Sequence, residues 1–438
     1  MNLTIIGGGL VGSLLSISLK KRGYHDVHVF EKRPDIRYHA ESRGRSINMA
    51  LSDRGWKALE SVDLAAQVQP HCIPMYGRMI HQIDGTEVFQ PYGKENQAIN
   101  SISRNLLTKI LVEASLTLGT SYSFDHKCID INLKSKELTF ESPDSTQPLK
   151  YKYERLFGTD GAYSEVRTVL TKTERFAYRQ WYLEHGYKEL HIPAHKDSHK
   201  IEKNALHIWP RGHFMLIALP NTDGSFTCTL FLPFEGQDSF ESINTETELY
   251  AFFTKNFPDA LELMPDLAND YFHNPTSALI NVHCWPWSYQ DSVLLMGDAA
   301  HSIVPFYGQG MNAGFEDVRI FDMLLDKEDW NTVFKTFEKS RKENTEAIAQ
   351  MALDNFTEMR DKVGDKQFLL KKKIDAWLHE KYGQAWVPLY TMVTFAPEIS
   401  YKQAQTKGLQ QDALLEQILK IPNIENNWKN LDYSKFIQ

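Results

Sequence analysis

The stretch Leu3-Thr4-Ile5-Ile6-Gly7-Gly8-Gly9-Leu10-Val11-Gly12 decides the fold of the N-terminal region. Its first four residues predict a short buried strand, the glycines follow in the spacing G-x-G-x-x-G, and the apolar periodicity of residues 14–19 predicts a helix. In such a unit Gly7 permits the tight turn, Gly9 lets the backbone approach a pyrophosphate, and Gly12 lets the helix pack closely on the strand. The pyrophosphate then lies at the helix N-terminus. The stretch therefore predicts a Rossmann-type dinucleotide-binding domain.

A second predicted strand strengthens this interpretation. Residues 27–30 read Val-His-Val-Phe and are followed by Glu31, close to the spacing of about 20 residues at which a carboxylate accepts a hydrogen bond from a ribose hydroxyl. For an isolated glycine motif, the alternative is a turn that binds nothing. The motif alone also does not distinguish NAD from FAD, because both contain the same adenosine diphosphate.

A later region of the chain favours FAD. Residues 293–297 predict a strand that ends at Asp298, and residues 305–312, Pro-Phe-Tyr-Gly-Gln-Gly-Met-Asn, predict a glycine-rich turn that opens a helix over 313–325. Asp298 can accept a hydrogen bond from a polyol hydroxyl, and the backbone N–H groups of Gly310, Met311 and Asn312 can face an electron-rich ring. A nicotinamide ribose needs no such second site, whereas an extended flavin dinucleotide does.

A third motif, Asp160-Gly161, lies between these two regions. Alone it is equally compatible with a surface turn. With the other two motifs it completes the pattern of single-component flavin hydroxylases, which the whole chain resembles. The resemblance implies the α/β fold of para-hydroxybenzoate hydroxylase, in which a Rossmann-type FAD domain is interleaved with an antiparallel β-sheet substrate domain. It implies no separate nicotinamide domain, in agreement with the single complete G-x-G-x-x-G.

Five further stretches narrow the resemblance to the kynurenine 3-monooxygenase family. They are residues 45–52, 76–81, 227–231, 305–317 and 354–360. Members use bound FAD, transient NADPH and O2 to convert L-kynurenine to 3-hydroxykynurenine in tryptophan degradation. Eukaryotic members carry a hydrophobic C-terminal membrane anchor, and this sequence ends without one, so we expect a bacterial, cytoplasmic member with no membrane anchor.

The resemblance implies a discontinuous domain organisation. We expect residues 1–70, 96–175 and 275–330 to form the FAD-binding domain, and residues 71–95 and 176–274 to form the substrate-binding sheet. The apolar periodicity after Asp329 predicts helices, so we expect 331–438 to be a C-terminal helical segment that closes the substrate pocket.

Two residues near the first substrate-domain strand are candidates for a carboxylate site. Residues 75–81 and 86–90 predict a hairpin around Asp84-Gly85, and pairing of Ile83 with Thr86 would place Arg78 opposite Pro91, next to Tyr92. An arginine offers a bidentate fork to a carboxylate. By resemblance, Arg78 and Tyr92 are the carboxylate-binding pair. The alternative is a strand arginine that faces solvent.

The resemblance supplies the remaining substrate-site predictions. Asn355 lies among apolar residues at helical spacing, so its amide needs a partner, which is either the substrate or a backbone carbonyl. The family implies that Asn355 and Tyr390 bind the amino acid end of the substrate. It also implies that Ile217, Leu219 and Phe231 contact the ring, although such residues are more often plain core.

The full set of predicted cofactor residues combines the three motifs with two further family positions, Ala50 and Arg104. The set is Gly7, Gly9, Val11, Gly12, Glu31, Ala50, Arg104, Asp160, Asp298, Gly310, Met311 and Asn312. For Arg104 the alternative is a surface arginine. No side chain is assigned a certain catalytic role, because the flavin carries the chemistry, and we expect His301 to be structural.

Composition limits the remaining possibilities. The chain has 438 residues, with 48 Lys plus Arg against 56 Asp plus Glu, and the net charge of -8 disfavours nucleic acid as a partner. Its four cysteines are widely spaced, so no zinc site or redox pair is expected. Two other functions stay open: a different flavin aromatic hydroxylase, and a non-catalytic scaffold of the same fold.

Overall fold

The computed structural model describes residues 1–38, 48–93, 96–143, 145–196, 198–359 and 366–437. The N-terminal stretch forms strand β1 (Leu3–Ile6), helix α1 (Leu10–Lys21) and strand β2 (Val27–Phe30). Both strands have the predicted limits, while the helix begins directly after Gly9 rather than at residue 14. Residues 45–47 of the first of the five family stretches and residue 360 of the last lie outside the described residues.

A six-stranded sheet forms the centre of the first domain, in the order β18-β19-β12-β1-β2-β8. Its other strands are β8 (Ser121–Ser123), β12 (Arg155–Gly158), β18 (Ser288–Tyr289) and β19 (Val293–Leu295). All neighbouring strands pair in parallel except β18 and β19. Strand β1 is buried along its whole length, as expected of a parallel sheet covered on both faces.

Two three-stranded antiparallel sheets accompany this domain. One has the order β3-β7-β4, with strands β3 (Asn48–Leu51), β4 (Ile73–Met75) and β7 (Ile99–Ser103). The other has the order β11-β10-β9, with strands β9 (Lys127–Asn132), β10 (Glu137–Ser142) and β11 (Ser145–Lys152). Besides α1, the α-helices of this domain are α2 (Asp53–Ser61), α3 (Ala65–Val68), α4 (Arg104–Thr117), α5 (Glu165–Leu170), α9 (Asp298–His301) and α10 (Gly310–Leu324).

A seven-stranded sheet, ordered β17-β13-β16-β15-β14-β5-β6, forms the second domain. Its strands are β5 (Gly77–His81), β6 (Glu87–Pro91), β13 (Ala177–Ile192), β14 (Ala205–Pro210), β15 (Met215–Pro220), β16 (Phe226–Pro233) and β17 (Ser277–Trp285). All pairs are antiparallel except β14 with β5. One face packs on helices α6 (Glu246–Asn256), α7 (Pro258–Leu261) and α8 (Leu267–His273) through a core that includes Trp209 and Phe253.

Two strands belong to a different sheet from the one that the expected domain boundaries assign to them. Strand β17 is within residues 275–330, yet it pairs with β13 of the seven-stranded sheet, because the chain crosses that sheet once more before it returns to the FAD-type domain. Strand β4 is within residues 71–95, yet it pairs with β7. The predicted strand 75–81 is thus interrupted at Tyr76, and its two parts pair in two different sheets.

The hairpin register differs by one residue from the prediction. Arg78 pairs with Gln90, and Gly77 pairs with Pro91. The reason is the turn, in which the Gln82 N–H donates to the carbonyl of Thr86, so the loop contains three residues instead of two. Arg78 and Tyr92 nevertheless lie close together, because Tyr92 follows the end of β6 and its N–H bonds to the carbonyl of Tyr76.

Helices form the C-terminal region, as predicted after Asp329. They are α11 (Val333–Thr357), α12 (Lys366–Tyr382), α13 (Leu389–Phe395), α14 (Tyr401–Ile418) and α15 (Ile424–Asn427). Helix α11 packs against the second domain through a core that includes Met351 and Phe356. Among the described residues, no helix is both long enough and apolar enough to cross a bilayer.

Candidate active site

One cavity, of about 340 Å³, joins the glycine turn to the seven-stranded sheet. Gly9 and Val11 line it at the glycine turn, Asp298 and Met311 line it on α9 and α10, and Phe231 lines it on the sheet. Seven of the predicted cofactor residues line this cavity: Gly9, Val11, Ala50, Arg104, Asp298, Gly310 and Met311. Six of the predicted substrate residues also do: Arg78, Tyr92, Ile217, Leu219, Phe231 and Tyr390. The fold therefore brings both predicted sites into one space.

The glycine turn has the geometry that a pyrophosphate requires. Gly7 has φ +101°, a conformation that side chains disfavour. A Cβ on Gly12 would lie 2.0 Å from the Gly7 carbonyl oxygen, whereas a Cβ on Gly9 would meet no atom within 4 Å. Gly12 thus allows the close strand–helix contact, and Gly9 leaves open space at the start of α1, where backbone N–H groups attract phosphate.

Glu31 lies beside this turn at the end of β2. One carboxylate oxygen accepts a 2.7 Å hydrogen bond from the Gly8 N–H, and the other accepts a 2.9 Å bond from the Arg33 N–H. These bonds orient the carboxylate next to the glycine turn, where a ribose would lie.

The Asn312 side chain links three backbone segments beside the cavity. Its amide donates 2.8 Å bonds to the carbonyls of Ala50 and Gly308, and its carbonyl oxygen accepts a 3.0 Å bond from the Ser52 N–H. All three bonds are internal, so the side chain fixes strand β3 against helix α10. Gly310 and Met311 line the cavity beside it.

Asp298 faces the cavity and has no hydrogen bond to any described residue. Desolvation by the surrounding protein raises the pKa of the Asp298 carboxyl, while the nearby Arg104 and His301 side chains oppose the shift. Arg104 lines the same space from the start of α4. An unpartnered carboxylate beside a cation suits a ligand that carries hydroxyl and phosphate groups.

A buried network supports the Asp298 turn from behind. Asp317 accepts a 2.5 Å bond from His301, a 3.0 Å bond from the Gly297 N–H and a 2.7 Å bond from Arg341. Burial by itself would raise the pKa of Asp317, but attraction by His301 and Arg341 lowers it below the ordinary value. The His301 ring thus bonds to a buried carboxylate of the protein, and its structural role stays a prediction.

Asp160, like Glu31 and Asn312, bonds within the protein and does not line the cavity. Its carboxylate accepts bonds from the Ser164 hydroxyl and from the N–H groups of Glu165 and Val166 at the start of α5, at 2.6, 2.7 and 3.2 Å. Thr159 and Gly161 line the cavity, whereas Asp160 does not. The side chain thus holds the loop that carries these two neighbours.

A cluster of one arginine and three tyrosines closes the substrate end of the cavity. The guanidinium carbon of Arg78 lies 5.6 Å from the ring centre of Tyr92 and 5.2 Å from that of Tyr390. The Tyr390 ring stacks between those of Tyr92, at 5.0 Å, and Tyr307, at 5.6 Å. Nε of Arg78 and the hydroxyl of Tyr92 are buried without a hydrogen-bond partner within the described part of the chain.

Apolar side chains separate this cluster from the cofactor space. Ile217 and Leu219 on β15 and Phe231 on β16 point into the cavity. Phe306 packs on Phe231 with ring centres 5.0 Å apart. The combination of an apolar slot with a buried cation at one end suits an aromatic molecule that carries a carboxylate.

Asn355 lies on α11 and lines a second, adjoining cavity together with Arg78. Its amide donates a 2.7 Å bond to the carbonyl of Phe306, which is the backbone partner considered as the alternative. Asn355 therefore fixes the loop that carries Phe306 and Tyr307.

Sequence reasoning missed two residues of this region. Tyr307 lies inside the stretch 305–317, but nothing in its spacing predicts that its ring stacks on Tyr390. Arg54 is fully buried and donates to Glu316 at 2.7 Å and to the carbonyls of Val393 and Ile399 at 2.7 and 2.5 Å. Arg54 thereby links helix α13, which carries Tyr390, to the cofactor domain. No local sequence pattern predicts such a contact.

The residues present fit FAD. The open space above Gly9 suits a pyrophosphate, and the unpartnered Asp298 carboxylate suits a polyol hydroxyl farther along the same cavity. No group of three or more His, Cys, Asp or Glu side chains in the described ranges could hold a metal ion.

Comparison with known proteins assigns the class. Residues 275–351 match a family model described as an FAD binding domain, and residues 5–69 match an NAD(P)-binding Rossmann-like domain. The tetrameric form of 2-methyl-3-hydroxypyridine-5-carboxylic acid oxygenase shares the fold, with a TM-score of 0.67 at 17% identity over 91% of this chain and 97% of that one. A probable FAD-dependent monooxygenase from Pseudomonas aeruginosa aligns with a TM-score of 0.65 at 15% identity over 82% of this chain and 97% of that one. Fold and site together define an FAD-dependent monooxygenase.

Sequence relatives identify the family. The kynurenine 3-monooxygenase of Flavobacterium johnsoniae is 47% identical over 98% of this chain and 96% of its own length. That of Dictyostelium discoideum is 44% identical over 98% of this chain and 95% of its own. The chain belongs to the kynurenine 3-monooxygenase family.

Proposed function

We propose that this protein is an FAD-dependent monooxygenase that uses NADPH and O2 to hydroxylate L-kynurenine at ring carbon 3. The family supplies the reaction class and the cofactors. One observation carries the substrate assignment: the Nε of Arg78 is buried and unpartnered at the end of an apolar slot that opens on the cofactor space. A buried cation without a carboxylate is costly unless a ligand supplies one.

Arg78 and Tyr92 bind the substrate carboxylate in this proposal. The guanidinium provides the positive charge, and the unpartnered Tyr92 hydroxyl can donate a hydrogen bond to the same group. Tyr390, stacked on Tyr92, closes the third side. Asn355 acts at the amino acid end of the substrate through its hydrogen bond to the Phe306 carbonyl, so its role is to position the loop that carries Phe306 and Tyr307.

Ile217, Leu219 and Phe231 hold the aromatic ring against the cofactor. They exclude water from the reacting carbon and fix its orientation, which is the chief contribution a protein makes when a cofactor carries the chemistry. When bound, the flavin takes electrons from NADPH and activates O2 for transfer of one oxygen atom to the ring.

The cofactor assignments combine side chains with turn geometry. We assign the adenosine half to Gly7, Gly9, Val11, Gly12 and Glu31, and the flavin half to Ala50, Arg104, Asp298, Gly310, Met311 and Asn312. Asp160 acts through the loop of Thr159 and Gly161, as supported by its bonds to the start of α5. The expected domain organisation is retained, with β17 added to the substrate sheet and β4 to the FAD domain.

The cytoplasm is the proposed location. All four cysteines are free in the structure, which suits a reducing compartment.

Measurement of NADPH oxidation with a panel of aromatic amino acids and aromatic acids tests the function. The purified protein should be yellow, L-kynurenine should accelerate NADPH oxidation, and mass spectrometry should find one added oxygen atom at ring carbon 3. Stimulation by a different aromatic acid, without turnover of L-kynurenine, would identify another aromatic hydroxylase. A colourless protein that does not take up FAD would indicate a scaffold.

A further inference from the structure

The second cavity, of about 660 Å³, adjoins the first through the arginine–tyrosine cluster. Arg78, Tyr92, Tyr307 and Tyr390 line both cavities. The remainder of its lining comes mainly from helices α11, α12 and α13. Tyr92 is 8% exposed, and its unpartnered hydroxyl lies at this shared boundary. The substrate carboxylate assigned to Arg78 would therefore lie where the two cavities meet.

The second cavity carries acidic groups that the first lacks beside Arg78. Asp354, Glu358, Asp375 and Glu380 line it, with Lys372 as the cation besides Arg78. Among these acids, Glu358 contributes to the pKa of the Arg78 guanidinium. Burial by itself would lower the pKa of Arg78, but the neighbouring tyrosines and the Glu358 carboxylate raise it above the ordinary value.

Lys372 forms an ion pair with Glu358 in this structure. Its Nζ lies 2.9 Å from a Glu358 carboxylate oxygen, and the two side chains are 36% and 30% exposed. Such partly exposed pairs contribute little and exchange readily. The Lys372 ammonium group thus already contacts the Glu358 carboxylate. Glu358 lines the same cavity as Arg78, whose Nε has no hydrogen-bond partner among the described residues.

An α-amino acid carries a carboxylate and an ammonium on one carbon. It therefore needs a cation and an anion within one binding site, and Arg78 and Glu358 line the same cavity. We propose that Glu358 binds the α-ammonium group of the substrate whose carboxylate is held by Arg78, and that Lys372 occupies Glu358 until the substrate displaces it. The site thereby selects amino acids over aromatic acids without an ammonium group. The proposal rests on the proposed function.

Binding of matched ligands tests this role. Flavin absorbance titrations would compare L-kynurenine with its deaminated analogue, 4-(2-aminophenyl)-4-oxobutanoate, which keeps the ring and the carboxylate. The FAD-loaded wild type should bind the amino acid about ten- to a hundredfold more tightly, the usual effect of one hydrogen bond to a charged group. Glu358→Gln should bind both ligands with nearly equal affinity and remain yellow.

Lys372→Met gives an independent test at a position whose side chain is partly exposed. It removes the competitor for Glu358, so it should tighten binding of the amino acid and leave the analogue unchanged. The matched controls are Glu343→Gln and Lys373→Met, at exposed positions on α11 and α12 outside the cavity, and both should retain the wild-type preference.

The outcomes separate this inference from the proposed function. Wild-type protein that binds neither ligand would overturn the proposed function and the inference with it. Wild-type protein that binds and hydroxylates L-kynurenine, while Glu358→Gln retains the full preference for it, would overturn the inference alone. Equal changes for both ligands in Lys372→Met would also overturn it.

Discussion

Three arginines near the active site, Arg54, Arg341 and Arg78, differ in what surrounds their guanidinium groups. Arg54 and Arg341 both contact Glu316, and Arg341 also contacts Asp317. Arg78 has no carboxylate within ion-pair distance among the described residues, and two tyrosine rings flank it instead. Since an uncompensated buried charge destabilises a fold, Arg54 and Arg341 serve the structure, and we propose that Arg78 binds a ligand.

Replacement of Arg78 tests this distinction. Arg78→Ala should weaken L-kynurenine binding by about 2 to 5 kcal/mol, or roughly 30- to several-thousand-fold, because it removes the partner of a desolvated carboxylate. FAD content should be unchanged. Titration of flavin absorbance measures both quantities, and Arg179→Ala, at an exposed position on β13, is the control. Unchanged substrate affinity in Arg78→Ala would show that this arginine does not bind the substrate.

Asp317 gives a prediction for stability and pH. Its carboxyl has a lowered pKa in the folded protein, so its contribution is complete above the unfolded value of about 4 and is lost as the pH falls through the folded value. Asp317→Asn should lower the free energy of unfolding by about 3 to 5 kcal/mol at pH 7, because Arg341 loses a buried partner.

Urea unfolding at a series of pH values measures this effect. The difference between wild type and Asp317→Asn should narrow as the pH falls below about 4. Asp63→Asn, which alters an exposed ion pair with Lys21, should change stability little at any pH. A difference that stays constant down to pH 3 would contradict the assigned charge.

At the scale of elements, the strand–turn–helix unit could be predicted because every relevant contact is local. The limits of β1 and β2 follow from short apolar runs, and the glycine spacing fixes the turn between β1 and α1. The hairpin register could not be predicted, since it depends on whether the turn contains two residues or three. Both turns are compatible with Asp84-Gly85.

Two alanine substitutions separate folding from cofactor binding within that unit. Gly12→Ala places a Cβ 2.0 Å from the Gly7 carbonyl oxygen, so it should destabilise the apoprotein and abolish FAD retention. Gly9→Ala meets no protein atom within 4 Å, so the apoprotein should unfold at the wild-type temperature while FAD binds more weakly. The checks are thermal unfolding of both apoproteins and the flavin-to-protein absorbance ratio. Equal effects in the two variants would refute the assignment of Gly9 to the phosphates.

At the scale of the whole molecule, distant segments meet at one site. Arg54 on α2 holds carbonyls at the end of α13, and Asn355 on α11 holds the Phe306 carbonyl. The C-terminal helices are thus tied to the cofactor domain on both sides of Tyr390. We infer that this attachment keeps the reacting centre closed to water.

Loss of that closure should appear as uncoupling. In Asn355→Ala and Tyr390→Phe, the fraction of consumed NADPH that yields hydroxylated product should fall, and hydrogen peroxide should account for the difference. Both variants should remain yellow and folded. Tyr250→Phe, at an exposed site on α6, is the control. Full coupling and normal affinity in both variants would limit the C-terminal helices to a structural role.

The sequence by itself determined the cofactor fold and the identity of most candidate residues. Residues that act through their immediate neighbours, such as Gly7, Gly12 and Glu31, can be recognised from spacing, because backbone geometry relates positions a few residues apart or one strand–helix unit apart. The resemblance to a family added Arg78, Tyr92 and Tyr390 as candidate substrate residues.

Only the tertiary structure decided how those residues meet. The stacking of Tyr307 on Tyr390, the attachment of α13 by Arg54, and the second cavity with Glu358 all depend on contacts between segments far apart in the chain. Packing of whole elements determines such contacts, and packing depends on the combined burial of many side chains rather than on any local pattern.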